Sequence, residues 1–348
     1  MKAKIMFLAV AAALSDIAAA QTVAPTALPT GGVVRAGDAS IGTPSTPTSG
    51  PHSLSVTQNS QRAVIDWSSF NIGSSAAVNF NQTQGASSIT ANRVPNATAP
   101  SVIDGLLSAP GNVMILNSRG VMFGASARVD VAGLIASTGD ISATDGFAEF
   151  MAGGAFAISG ATGGSISNQG EITLTQAGLA AFVAPSVSNS GRIVAQGGRI
   201  RLASAEMVTV SLNGGLYEIA VNQGVAGGSI TNTSTGILDA TGGSIVLSAL
   251  DAANVVSGVI NLSGVQQASR IEVHGGQVTL LSDLNATTVA GTSRTIDVCG
   301  CAQIQDAVDI AKHGTAGNGA AVNVDGGNRN EQVRLDKAYL TVSGRNNA

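Results

Sequence analysis

The sequence predicts an all-β chain wound as a parallel β-helix, a β-solenoid of short strands stacked turn upon turn. Three observations carry that prediction. The first is composition: of 348 residues, 44% are hydrophobic, only 3% aromatic and 11% charged, and 44 are Gly. A core short of rings but rich in Ala, Val, Ile and Leu suits thin repeated β layers. The second is rhythm: from Ala63 to about residue 295, short apolar pulses alternate with Gly, Asn and Ser, and no helical period of 3.6 emerges. The third is recurrence. GGSISNQGEITL at 163–174 is echoed by PSVSNSGRIVAQGGRIRLAS at 185–204, GGSITNTSTGILDATGGSIVLSA at 227–249 and SGVINLSGVQQASRIEVHGGQVTLLS at 257–282. Irregular spacings near 20 residues are the mark of solenoid turns with variable corners.

Residues 1–20 carry Lys2 and Lys4, an apolar run from Ile5 to Leu14 and Ala18-Ala19-Ala20, the order of a signal peptide. The apolar run is too short to span a bilayer, which takes roughly 20 residues. Residues 22–60 are rich in Pro, Thr, Ser and Gly and read as a linker or as short strands joined by turns. AVIDWSSFNIGSSAAVNFNQ then opens the strand rhythm. In the repeats, inward Val and Ile stack on their counterparts one strand spacing away, about 4.8 Å. Asn at a corner can pair its amide with the Asn of the next turn, and Gly supplies corners with positive φ. At ~20 residues per turn the chain would make about 16 turns. An antiparallel sandwich would instead need Asn-Gly or Asp-Gly hairpin turns. AQIQDAVDIAKHG at 302–314 breaks the rhythm, with apolar residues at 304, 307, 308 and 311, and predicts a short amphipathic helix before strands resume.

Little in the chain suggests catalysis. His52, His274 and His313 are scattered, and no nucleophile sits in a G-x-S-x-G context. A β-helix polysaccharide lyase or glycosidase would need paired carboxylates. Asp140 with Asp145, and Asp239 with Asp251, are the candidates, but all read better as turn residues satisfying backbone N–H groups. Cys299 and Cys301, one Gly apart, supply too few ligands for zinc. No metal site, cofactor or catalytic residue is expected. A net charge of −4 without a basic run argues against nucleic acid as a partner.

Residues from about 28 to 145 closely resemble the N-terminal secretion domain of filamentous-haemagglutinin-like exoproteins, the secreted partners of two-partner secretion systems. The resemblance runs through LPTGGVVRAGDASI, LSVTQNSQRAVIDWSSFNIGSSAAVNFNQ, ANRV and SVIDGLLSAPGNVMILNSRGVMFGASARVDVAGLIASTGDIS. It implies a single-stranded right-handed parallel β-helix with an N-terminal cap, of the pectin-lyase-like kind. It also implies recognition by an outer-membrane transporter bearing POTRA modules, and a final location in the medium or on the cell surface. An adhesin or haemagglutinin role follows, with a host-surface or glycan receptor as a further partner. A secreted haem- or polysaccharide-binding solenoid is the alternative. On this reading residues 1–20 are the signal peptide and 21–150 the secretion domain with its cap. Residues 151–295 continue the solenoid, and 296–348 hold the helix and a last β-helix-like turn.

Members of that family usually carry Asn-Pro-Asn-Gly where this chain has Asn117-Ser118-Arg119-Gly120. Pro would preset φ for a type I turn and Asn would tolerate its third position. Ser and Arg can occupy the turn without that preset. The resemblance thus nominates Asn117, Ser118, Arg119 and Gly120 as a recognition turn, with Asn92 and Arg93 of the ANRV element. Trp67 and Phe70 are expected in the core or cap.

Overall fold

A computed structural model of the chain describes residues 23–142, 146–175, 177–211, 218–225, 228–233, 235–241 and 243–249. From residue 260 onward it describes the backbone of isolated strands. The apolar pulses form strands because alternate residues can be buried while their neighbours face out. Two short strands come first, β1 (Val33–Ala36) and β2 (Ala39–Ile41), then β3 (His52–Gln58) and β4 (Arg62–Asp66). The next turns comprise β5 (Ala76–Gln82), β6 (Ile89–Arg93), β7 (Ser101–Ile103), β8 (Leu106–Leu116), β9 (Val121–Phe123) and β10 (Arg128–Ser137). An excursion follows: β11 (Asp140–Ile141), the helix α1 (Gly146–Ala152) and β12 (Phe156–Ser159). The coil resumes with β13 (Ser165–Asn168), β14 (Glu171–Leu174), β15 (Leu179–Ala184), β16 (Ser186–Asn189), β17 (Arg192–Val194) and β18 (Arg199–Ser211). After β19 (Glu218–Gly224) come β20 (Ser229–Asn232), β21 (Ile237–Asp239), β22 (Ser244–Ala249) and β23 (Ile260–Asn261). The last strands are β24 (Arg270–His274), β25 (Gln277–Leu281), β26 (Thr295–Val298), β27 (Ala320–Asp325) and β28 (Leu340–Arg345).

Three parallel ladders run along the coil. The first stacks β3, β5, the start of β8, the start of β10, β14, β17 and β21. The second stacks β4, β6, the ends of β8 and β10, β15, the start of β18 and β22. The third stacks β7, β9, β13, β16, β20 and β23. Register explains the repeats: Leu54, Val78, Leu107, Val129, Ile172, Ile193 and Leu238 form one in-register column. All seven are buried. Burying each such aliphatic side chain stabilises by roughly 1.5–3 kcal/mol. Phe123 and Phe182 stack inside the coil with centroids 5.6 Å apart.

The third ladder ends in an asparagine column. Asn168 donates to Asn189 Oδ1 at 2.8 Å, and Asn189 donates to Asn232 Oδ1 at 2.6 Å. The corner asparagines therefore pair turn to turn, the arrangement expected from their recurrence. At the start of the coil β1 runs antiparallel to β4 and β2 antiparallel to β3, which covers the edge of the first turn.

Several features depart from a plain solenoid. The sequence showed no helix before residue 295, yet α1 interrupts the coil, because residues 146–152 are buried on one side only, through Gly146 and Phe150. Residue 150 lies inside that helix, and the ladders continue from β10 to β14 and β15 beyond it. An antiparallel layer of β11, β12, the end of β18 and β19 lies outside the second ladder. Beyond β22 the stacking changes: β25 pairs antiparallel with both β22 and β24, where the repeat predicted another parallel turn. The expected signal segment at 1–20, the helix expected at 302–314, and Cys299 and Cys301 lie outside the described residues. No helix among the described residues is long and apolar enough to cross a membrane.

Candidate functional site

Asn117 begins a tight turn at the corner between β8 and β9. Gly120 N–H donates to the Asn117 carbonyl at 2.9 Å, and Arg119 N–H donates to Asn117 Oδ1 at 2.8 Å. The same side chain donates its amide to Ala99 O at 3.1 Å and Ser101 Oγ at 3.0 Å. Asn117 is 2% exposed, so it holds the corner to the preceding loop from within. Gly120 has φ of 124°, and a Cβ there would lie 2.6 Å from Ser165 O. On the other side, a Cβ on Gly164 would lie 2.9 Å from Ser118 O. The turn is clamped between adjacent corners.

Only Ser118 and Arg119 of the four are exposed. Arg119 Nε reaches Ala97 O at 3.2 Å, so the guanidinium lies over the exposed loop at Pro95–Thr98. This ledge presents the Arg119 cation and the Ser118 hydroxyl at the surface.

The ANRV element sits elsewhere. Asn92 is fully buried, facing the interior in a column otherwise occupied by Ile65 and Ile115. Its Oδ1 accepts Trp67 Nε1–H at 3.0 Å and its amide donates to Met114 O at 3.2 Å. Trp67 and Phe70 are themselves buried and meet edge to face at 5.6 Å. Arg93 points the other way, out of the coil, and is nevertheless only 6% exposed. It grips Asp140 with two hydrogen bonds of 2.7 Å and Asp66 with one of 2.9 Å. The ring of Phe147 lies 4.7 Å from its guanidinium carbon, and Arg35 binds the second oxygen of Asp66 at 2.8 Å. Burial alone would lower the Arg93 pKa. The Asp140 hydrogen bonds and the charges of Asp140 and Asp66 outweigh it and raise the pKa. The structure thus separates the nominated residues: Asn92, Arg93, Asn117 and Gly120 hold the frame, while Ser118 and Arg119 face outward.

Two groups escaped the sequence reading. One is the set of Arg93 partners, which lie 27 and 47 residues away. The other is a buried amide cluster: Gln82 donates to Thr90 Oγ1 at 2.9 Å and to Asn112 O at 3.2 Å, and Thr90 in turn binds Gln58. A signal for it existed, since HSLSVTQ and AAVNFNQ both end on Gln and those residues pair in register.

The acids nominated for an enzyme are engaged otherwise. Asp140 serves Arg93, and Asp239 accepts Thr241 N–H at 3.1 Å and Thr241 Oγ1–H at 2.8 Å, a turn arrangement. Asp145 and Asp251 lie outside the described residues. Among the described residues no group of three His, Cys, Asp or Glu is arranged to hold a metal ion.

A family model described as the TPS secretion domain matches residues 38–295. The heme/hemopexin-binding protein of Haemophilus influenzae is 37% identical over 114 residues, which are 33% of this chain and 12% of that protein. A second Haemophilus influenzae heme/hemopexin-binding protein is 40% identical over 88 residues, 25% of this chain and 9% of its own length. The chain therefore matches only a small part of these curated relatives. The crystal structure of the HMW1 secretion domain from Haemophilus influenzae superposes with a TM-score of 0.58 at 22% identity, covering 91% of this chain and 74% of that one. That likeness is one of fold, the β-helix.

Proposed function

This chain belongs to the TPS secretion domain family, and on that premise we propose that it is the exported partner of a two-partner secretion system. The observation that carries the proposal is the family match over residues 38–295, most of the chain. In this reading an outer-membrane transporter with POTRA modules receives the N-terminal part of the chain and passes it to the medium or the cell surface. The coil suits such a passage. Each turn is templated by the one before, so folding can propagate from one end and bias movement outward. The only cysteines, Cys299 and Cys301, are too close in sequence to tie distant turns together. We read β1 and β2 as the N-terminal cap and the winding as right-handed, as about 98% of parallel crossovers are. The protein then acts outside as an adhesin of the filamentous haemagglutinin kind, without enzymatic activity.

Within the secretion domain, Ser118 and Arg119 are the residues we assign to contact with the transporter, because they alone of the nominated set are exposed. Asn117 and Gly120 hold that ledge, and Asn92 and Arg93 fix the ladder behind it. A second reading, a haem- or hemopexin-binding exoprotein, is favoured by the likeness to the two heme/hemopexin-binding proteins. It concerns what the delivered protein does, and is compatible with the same export.

The test is export in a Gram-negative host with and without a cognate transporter, following the protein in medium, periplasm and cell surface. Transporter-dependent appearance outside is expected. Arg119→Ala should reduce it several-fold while leaving Tm unchanged, and the double change Ser118→Pro, Arg119→Asn should broaden acceptance to other transporters of the class. Periplasmic accumulation with or without the transporter would refute the export reading. Saturable binding of haem to the purified protein would then bring the second reading forward.

A further inference from the structure

Between β10 and β13 the chain leaves the coil and lies across the outer face of the second ladder. That face is unusual for the exterior of a solenoid. Val64, Ile89, Met114, Leu116 and Ile135 alternate with the interior residues and so point outward, yet each is no more than 3% exposed. What covers them is the excursion itself, through Ile141, Phe150, Phe156 and Ile158. Phe150 and Phe156 meet edge to face at 5.3 Å.

Two different anchors hold the excursion. At its start Asp140 takes both forks of Arg93, whose third contact is Asp66, and Phe147 of α1 lies under the guanidinium. Nearby, the Arg62 guanidinium packs on Gly153 at the end of α1, where a Cβ would lie 2.7 Å from Arg62 Nη2. These contacts reach strands β4 and β6, made early in the chain. At its end β12 pairs within the excursion with β11, and its partner outside the excursion is the outer half of β18, with Phe156 opposite Val210 and Ile158 opposite Val208. That half-strand arrives only after two further turns of the coil, and β19 pairs on its far side.

We infer that β11, α1 and β12 form a strap that closes over the N-terminal turns only after residues 205–211 are in place. Until then the early turns present an apolar stripe, and Arg93 with Asp66 lacks its strongest partner. Burial of a charge is tolerable only when it is paired and hydrogen-bonded, so Arg93 favours a hydrated, open face until Asp140 docks. Asp140 in turn stays docked only while the strap has a strand to lie against. The N-terminal domain thus has two states, open and strapped, and the later chain chooses between them. This inference rests on the geometry alone and does not need the export reading.

Hydrogen–deuterium exchange on the full chain tests it, with Asp140→Asn and Thr209→Pro compared with the parent. Thr209 pairs with Ala157 on one side and Ala220 on the other, so Pro there removes the strap's partner strand without touching the Arg93 cluster. Both variants should raise exchange across 140–159 at least ten-fold, while β5, β8, β14 and β17 keep their protection. The decisive readout is α1 in Thr209→Pro, because no residue of the helix pairs with β18. Undiminished protection of α1 in that variant overturns the inference. So does a loss spread equally over strap and parallel ladders in Asp140→Asn, which would make the strap an inseparable part of one cooperative unit.

Discussion

Gly120 illustrates how single positions are fixed by neighbouring turns of the coil. Its φ of 124° is strained for any residue with a side chain, and a Cβ would collide with the Ser165 carbonyl. Gly120→Ala should cost about 1–3 kcal/mol, read as a fall in the midpoint of denaturant unfolding. Asn117→Ala should also destabilise, by about 1–3 kcal/mol, because Ala99 O, Ser101 Oγ and Arg119 N–H all lose a buried partner. A loss of export in that variant would therefore report folding, whereas Arg119→Ala isolates the exposed contact. Asp104 behaves differently. Burial raises its pKa, so its charged form is disfavoured in the folded chain. The resulting penalty is absent in acid where both folded and unfolded states are protonated. It grows as pH rises from the ordinary carboxylate range through the raised folded value, and is complete above that value. Asp104→Asn should raise Tm at pH 7 and leave it unchanged in strong acid.

At the scale of elements, the corner asparagines act as a hydrogen-bonded rod beside the aliphatic columns. Asn189 is its middle member, donating to Asn232 and accepting from Asn168. Asn189→Ala breaks both links and should cost about 2–4 kcal/mol, since buried amides are left unmatched on each side. The same change at a solvent-facing residue of that strand, Ser188→Ala, should have little effect. Trp67 and Asn92 form a comparable cross-ladder pair: Trp67→Phe keeps most of the ring packing and removes the donor to Asn92, a loss of about 1–2 kcal/mol in chemical denaturation. Both pairs tie a strand to the turn that precedes or follows it, so their loss should loosen neighbouring turns before distant ones.

For the whole molecule, the ladders form a one-dimensional stack with a side layer attached. The stack alone would let any turn fold on its predecessor. The antiparallel layer adds a long-range condition, because β12 pairs with β18 across two intervening turns. If the chain is exported as proposed above, its passage should be sensitive to both. Substitutions within the columns, such as Ile172→Ala, should lower stability by about 2–5 kcal/mol and slow the appearance of folded protein outside. Substitutions in the strap, such as Phe150→Ala, should leave the parallel ladders protected and make residues 140–159 sensitive to protease.

How much of this was legible in the sequence depends on distance along the chain. The solenoid was legible because its repeats are local: Val, Ile and Asn at fixed offsets meet their counterparts in the next turn, so periodicity already encodes the pairing of Asn168 with Asn189. The turn at Asn117–Gly120 was nominated by the family resemblance and by its Asn and Gly, not by the repeat. The helix α1 was not legible, because seven residues with one buried Phe give too short a period to stand out from the surrounding Gly and Ser. Nor was the role of Arg93 legible, since its outward position marks it as a solvated residue until Asp66, Asp140 and Phe147 arrive from three separate segments. The sequence by itself determined the all-β class, the stacked columns and the corner ladder, because these follow from spacing. Only the tertiary structure decided which nominated residues are exposed and which outer face is covered. Those depend on contacts between segments whose separation follows no repeat, and periodicity carries no information about them.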